Sequence, residues 1–235
     1  MVQNDVMASP GRRIAALEIV AMAALLVSYI WVWQGAFPGD FVVVILLYAY
    51  LGISSHLRRR ETAAQIGFRL HGLGRATGFV LMIIGPLMAV TLLLGLALGS
   101  LDLELGSDWP RGLLMSLVSG TLQQYGLLAY FFRSLRELLR NERSAAVAAA
   151  MMFAFFHLPN PFLTLVTGAA GLLSVWFYRK TRNLWAIGLG HMLLSLAISR
   201  GLPRGLTLGM RVGPGCWREI EVLWGPESVW LAPWF

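Results

Sequence analysis

Charge is what this chain lacks most. Only 13% of its 235 residues are Asp, Glu, Lys or Arg, where a soluble globular chain carries about 25%. So few charges cannot cover the surface of a water-soluble domain of this size. Cysteine is nearly absent too. Cys216 stands alone, which excludes an intrachain disulfide and a cysteine-built zinc cage. No internal repeat is visible. No Lys/Arg stripe interleaved with aromatics marks a nucleic-acid footprint, so a nucleic-acid partner is not expected despite the net charge of +7.

What the chain has instead is apolar length. Apolar residues make up 57% of it, and its mean hydropathy is +0.66. They fall in blocks, several near the ~20 residues that cross ~30 Å of hydrocarbon. The expected fold is all-α, a multi-pass transmembrane bundle of about seven spans. The spans run near residues 14–37, 41–54, 76–98, 112–132, 144–157, 162–178 and 184–199. The first exceeds a signal-peptide core and has no small-x-small site after it, so it reads as a retained span. Residues 1–111 form the N-terminal spans with an amphipathic, surface-lying linker at 56–75, 112–199 a core, and 200–235 a Gly- and Trp-rich tail.

Basic residues cluster at Arg58–Arg75, Arg133–Arg143 and Arg179–Arg182, whereas the loop from Ser100 to Asp108 carries Asp102, Glu104 and Asp108. Cytoplasmic loops are enriched in Lys and Arg. The expected topology therefore has the N-terminus in the cytoplasm and the acidic loop outside, in the cytoplasmic (inner) membrane of a bacterium. Tail residues Arg200, Arg204, Arg211 and Arg218 then fall outside, against the rule, through either a re-entrant piece or an override late in the chain. Glycines recur at 201, 205, 209 and 213, but Pro203 and Pro214 favour an irregular loop over a packed helix. Trp217, Trp224, Trp230 and Trp234 suit an interfacial belt.

Polar residues inside spans cost free energy in lipid and tend to face a cavity or a partner. Helical spacing puts Ser116, Ser119, Gln123, Tyr130, Ser134 and Glu137 on one face. Gln124 is offset by ~100°. A rise of 1.5 Å per residue puts Gln123 ~15 Å, His157 ~20 Å, His191 ~10 Å and Ser195 ~16 Å above the basic ends of their helices. All four heights bracket the midplane, so a shared polar site is geometrically allowed. Interhelical hydrogen bonding is the competing role for such residues. Two imidazoles fall short of the three protein ligands usual for catalytic zinc, and there is no H-E-x-x-H. Nothing beyond the same two rings favours haem. No metal and no cofactor is assigned.

Phe153-Ala154-Phe155-Phe156-His157, followed by Leu158-Pro159-Asn160, and Asn183-Leu184-Trp185-Ala186 leading to His191 carry a resemblance. From about Leu113 to Ile198 the chain resembles the CPBP family of intramembrane CAAX proteases and bacteriocin-processing proteins. That family shows Glu-Glu-x-x-x-Arg, then Phe-x-x-x-His, then His-x-x-x-Asn. Here Gln123-Gln124 stand where the glutamates would, Leu128 where the Arg would, and Ser195 where the Asn would. The resemblance implies an intramembrane endopeptidase acting on membrane-associated or prenylated peptides, with the lipid bilayer as its other partner. It implies a site of Gln123, Gln124, His157, His191 and Ser195; the expected substrate contacts are Phe153, Asn160 and Tyr130. Neither Gln can be a general base, so His157 or His191 must supply that function. The alternative is a pseudoprotease that binds a membrane-embedded peptide or lipid without cutting it.

The expected topology is testable by cysteine labelling in intact cells after Cys216 is replaced. Arg59→Cys and Thr181→Cys should be protected from an impermeant reagent, and Leu105→Cys should react. Labelling of the first two from outside would invert the topology.

Overall fold

The computed structural model describes residues 10–104 and 106–225. Leu105, Trp230 and Trp234 lie outside the described residues. Among these residues the chain is helical throughout, with no strand. The helices are α1 (Pro10–Ser28, continued as a π turn Tyr29–Trp33), α2 (Asp40–Arg58), α3 (Leu73–Ala97) and α4 (Trp109–Gln124). A π segment, Tyr125–Phe132, joins α4 without a break to α5 (Arg133–Leu139). Then come α6 (Glu142–Phe155), α7 (Pro161–Thr181), α8 (Leu184–Gly201), the short α9 (Arg204–Thr207), a 3₁₀ turn at Leu208–Met210, and α10 (Pro214–Trp224).

All seven expected spans emerge as helices, and five are long and apolar enough to cross a membrane: Gly11–Trp33, Asp40–Arg58, Leu73–Ala97, Pro161–Thr181 and Leu184–Gly201. The fourth span is diluted by Ser116, Ser119, Gln123 and Gln124. The fifth, α6, has 14 residues and reaches about 21 Å, short of a ~30 Å core. Both still expose large apolar side chains, Leu114, Met115 and Val118 on α4 and Val147, Met151 and Phe155 on α6.

The helix starts are written in the sequence. Asn141, Asn160 and Asn183 each sit in extended backbone, and their side chains accept from the amides of Ser144, Leu163 and Ala186 at 3.0, 3.0 and 3.1 Å. Each cap satisfies one of the unpaired amides that open a helix. At the centre of the bundle lies the π segment, all eight of whose residues are buried. It is apolar on every side, as a helix surrounded by others must be.

Helix α8 packs along α3 and α4 by close backbone approach. A Cβ built on Gly188 would overlap Thr121, one on Gly95 would overlap the Gly201 carbonyl, and one on Gly120 would meet the His191 ring at 3.1 Å. In lipid, where apolar surface gains little by leaving its surroundings, helices associate by such small-residue contacts.

The basic clusters gather at one end. Glu18 of α1 is buried there, held by Arg58 and by both terminal nitrogens of Arg59, with Ser134 donating at 3.3 Å. Arg59 also reaches Glu137 at 2.9 Å. The linker is largely exposed between Arg60 and Gly72, with Ile66 and Gly67 buried. It runs as turns anchored to the bundle end at that point: Tyr178 donates to the Ile66 carbonyl at 2.9 Å, and the Leu184 amide to the Gly67 carbonyl at 2.9 Å. With Arg59 so engaged, the exposed Arg60 is the better labelling position.

The opposite end resolves the tail's excess of basic residues. Arg200 pairs with Asp102 at 2.8 Å and Arg204 pairs with Glu219, so two of the four arginines are neutralised by acids beside them. From Leu202 to Gly213 the tail runs as short turns, one of them a single turn of helix, and only from Pro214 does it form a longer helix. Pro214 occupies the first turn of α10, where a missing amide hydrogen costs nothing. The periodic glycines are no helical seam: Gly201 faces α3, while Gly209 and Gly213 turn the chain at φ +56° and +54°. Trp217 packs on Trp31 with ring centres 5.4 Å apart.

Gly188→Val should force α8 away from α4 and destabilise the fold by about 1–3 kcal/mol, the usual cost of overpacking. Gly74→Ala, where a Cβ meets nothing within 4 Å, should not. Thermal unfolding in one detergent compares them; equal melting temperatures for Gly188→Val and the unaltered protein would refute the tight seam.

Candidate functional site

A cavity of about 710 Å³ opens inside the bundle. Its walls are mostly apolar, with Leu26 and Ile30 from α1, Val44 and Ile45 from α2, Val80 and Ile84 from α3, and Val166 and Leu173 from α7. Into it the structure brings Gln123, Gln124, Phe153, His157, His191 and Ser195. Among the described residues no Asp or Glu lines it.

The α4–α8 seam sets the first contact. The Gln124 amide nitrogen lies 2.8 Å from His191 Nδ1. As placed, the amide donates and Nδ1 accepts, so the neutral ring carries its proton on Nε2. Gln124 is buried, and its Oε1 has no hydrogen-bond partner among the described residues. Gln123 points along its own helix and donates to Ser119 Oγ at 3.2 Å.

His157 stands just past the end of α6. Its Nδ1 lies 2.6 Å from the Phe153 carbonyl. A carbonyl only accepts, so Nδ1 carries the proton and the neutral ring keeps its lone pair on Nε2. The Phe153 ring meets both imidazoles edge to face, 4.8 Å from His157 and 6.2 Å from His191. The two imidazole centres are therefore within about 11 Å of each other. Among the described residues, no three His, Cys, Asp or Glu side chains gather as a metal site would require.

Two expected substrate contacts sit elsewhere. Asn160 is fully buried; besides capping α7 it donates to the carbonyls of Thr207 at 2.9 Å and Arg211 at 3.0 Å. It ties the tail to the bundle and does not line the cavity. Tyr130 is buried beneath the floor and donates to the Glu18 carbonyl at 3.0 Å. The polar face of the α4–α5 run is thus divided by depth. Ser116, Ser119 and Gln123 line the cavity, while Tyr130, Ser134 and Glu137 are sealed against Glu18 and Arg59.

Sequence reasoning missed five polar wall residues, two of them Tyr29 and Gln34 near the end of the first span. Thr167 and Ser174 of α7 line the cavity, and their spacing of two helical turns is a readable signal. Tyr48 of α2 lines it too and donates to the Leu122 carbonyl at 2.8 Å.

The paired assignment for His157 is checkable by ¹⁵N chemical shifts of selectively labelled protein, which distinguish protonated from unprotonated ring nitrogens. Neutral His157 should be protonated on Nδ1. An Nε2-protonated ring would contradict the bond to Phe153.

No curated protein matches this chain, and no solved structure matches it. A family model does, over residues 104–197: type II CAAX prenyl endopeptidase Rce1-like. The matched stretch spans α4 to most of α8, the same helices that bring both imidazoles and both glutamines to the cavity, and over it the chain is similar to the CAAX prenyl endopeptidases.

Proposed function

We propose that the chain is an intramembrane endopeptidase that hydrolyses peptide bonds of membrane-associated or prenylated substrates, with a histidine in place of the family's carboxylate base. One observation supports this above the others: His157 offers an Nε2 lone pair in a cavity where His191 and Ser195 offer donors. Apolar walls suit an extended or lipidated segment.

In this mechanism a water oxygen attacks the scissile carbonyl carbon while its proton passes to His157 Nε2. The carbonyl oxygen becomes an oxyanion, met by the Ser195 hydroxyl and the His191 Nε2–H. The tetrahedral intermediate then expels the amine as the C–N bond breaks, and His157 returns the proton to that nitrogen. Gln123 and Gln124 orient the water and the substrate. An amide neither takes up nor releases a proton near neutral pH.

A second reading has its own support: among the described residues no carboxylate lines the cavity, which suits a pseudoprotease that holds a membrane-embedded peptide or lipid uncut. One experiment separates the two. Purified protein is incubated with a library of prenylated and membrane-spanning peptides, and cleavage and binding are both measured. The endopeptidase reading expects cleavage, lost by about 10²-fold or more in His157→Ala, the usual scale of general acid–base catalysis. Cleavage unaffected by His157→Ala would remove the cavity from the chemistry. Binding without cleavage would establish the pseudoprotease.

Restoring carboxylates gives a further prediction. Gln123→Glu with Gln124→Glu returns a titratable base to a cavity holding two imidazoles, and should raise or create peptidase activity, with Ser195→Asn as an added step. His157→Ala should abolish that activity in both backgrounds.

A further inference from the structure

At the basic end lies a second cavity, separate from the first, of about 1300 Å³. Seven arginines line it (Arg59, Arg60, Arg69, Arg133, Arg136, Arg140 and Arg182) against three acids, Glu61, Glu137 and Glu142. Each acid is already engaged. Glu61 is held by Arg133 and His56, Glu137 by Arg59, and Glu142 by Arg179 at 2.9 Å. Among the described residues no carboxylate reaches ion-pair distance of Arg60, Arg69, Arg136, Arg140 or Arg182.

Helix dipoles account for part of this excess. Arg60, Arg140 and Arg182 follow the C-terminal ends of α2, α5 and α7, where each helix contributes roughly −0.5 charge. Three such ends offset about one and a half of the net four positive charges, leaving more than two. Aromatic packing takes up no charge. The Arg136 guanidinium lies over Phe132 at 5.7 Å and that of Arg182 over Tyr178 at 5.3 Å; Arg182 also hydrogen-bonds Tyr178, which uses one of the N–H donors of its fork. Arg69 donates to the Thr181 carbonyl and keeps a buried Nε with no partner among the described residues. Burial and the neighbouring Arg59 hold the Arg133 pKa below its ordinary value, which reflects the same crowding of positive charge.

We propose that this cavity binds a phosphate-bearing anion, through the edges of Arg60, Arg136, Arg140 and Arg182. Planar guanidinium forks match phosphate oxygens in pairs. The level also fits: α2 and α7 end here and α3 and α8 begin here, so the cavity stands at the headgroup region of a membrane these helices span. Basic pockets of this kind recognise anionic lipid headgroups. A free phosphate ester presents the same chemistry.

The test is the melting temperature of the full chain in neutral detergent. It is titrated with phosphatidylglycerol, with phosphatidylcholine, and with inorganic phosphate at constant ionic strength. Phosphatidylglycerol should raise the melting temperature and phosphatidylcholine should not. Arg136→Gln with Arg140→Gln should raise the half-saturating concentration at least about tenfold, given the strength of charged hydrogen bonds, while Arg143→Gln, outside the cavity, should not. If inorganic phosphate acts alike, the site takes free phosphate; if only the lipid acts, it takes a headgroup. A double variant that titrates like the unaltered protein, or stabilisation by neither anion, overturns the proposal. Native mass spectrometry of Arg60→Gln, counting retained phosphatidylglycerol, tests it independently should the double variant misfold. Retention equal to that of the unaltered protein counts against it.

Discussion

Backbone contact between α4 and α8 governs the interior of this protein. Gly188 lies against Thr121 and Gly120 against His191, at separations that leave no room for a side chain. Two helices in lipid have no hydrophobic gain from meeting, so they need many close atomic contacts. Glycine supplies them at the cost of helix propensity, about 1 kcal/mol relative to Ala in water. Once the two helices are this close, Gln124 and His191 can bond directly at 2.8 Å. The same helix uses its other side, through Gly190 and Gly201, against Val80 and Thr91 of α3. One helix thus fixes both a wall of the cavity and the placement of a candidate catalytic group.

Charge is confined to the ends. A buried carboxylate such as Glu18 is tolerable only when its partners are close and well arranged, since removing one would leave an uncompensated charge costing about 3–5 kcal/mol. Two arginines and Ser134 meet that requirement and join α1, α2 and α5. At the other end Arg204 meets the buried Glu219, while Arg200 and Asp102 pair in the open. The cavity between is left to neutral polar groups. Among the described residues, the proposed hydrolysis there has imidazoles, amides and hydroxyls to draw on.

Much of this was legible from composition and depth. Long apolar blocks announce helices whatever their neighbours, and the heights of Gln123, His157, His191 and Ser195 follow from counting residues. Less legible were the walls. Helices α1, α2 and α3 are apolar on every side, so no periodicity tells a cavity-facing Leu26 or Val44 from a lipid-facing Leu17 or Leu46. Asn160 shows a different failure. Its place next to His157 attracted a binding role, but Asn followed by Pro161 is a helix-start signal, and capping is what the residue does. Tyr130 shares a helical face with Gln123 yet lies under the cavity floor, because facing says nothing about where a neighbouring helix closes the space.

The substitution of amides for carboxylates bears on which histidine does what. A glutamate beside His191 would accept from the ring and stabilise its protonated form. Gln124 donates to Nδ1 instead, which leaves that ring a hydrogen on Nε2 to give and no lone pair to offer. His157 is arranged the other way, since the Phe153 carbonyl keeps the proton on Nδ1 and frees Nε2 to accept. That carbonyl also remains a good acceptor when the ring is protonated, so taking up a proton breaks no bond. The two imidazoles, chemically identical in the sequence, are thus made into an acceptor and a donor by the single group each one touches. In the proposed hydrolysis that division assigns the base to His157 and the oxyanion contact to His191. It also explains why His157, rather than His191, is the substitution on which the peptidase reading stands.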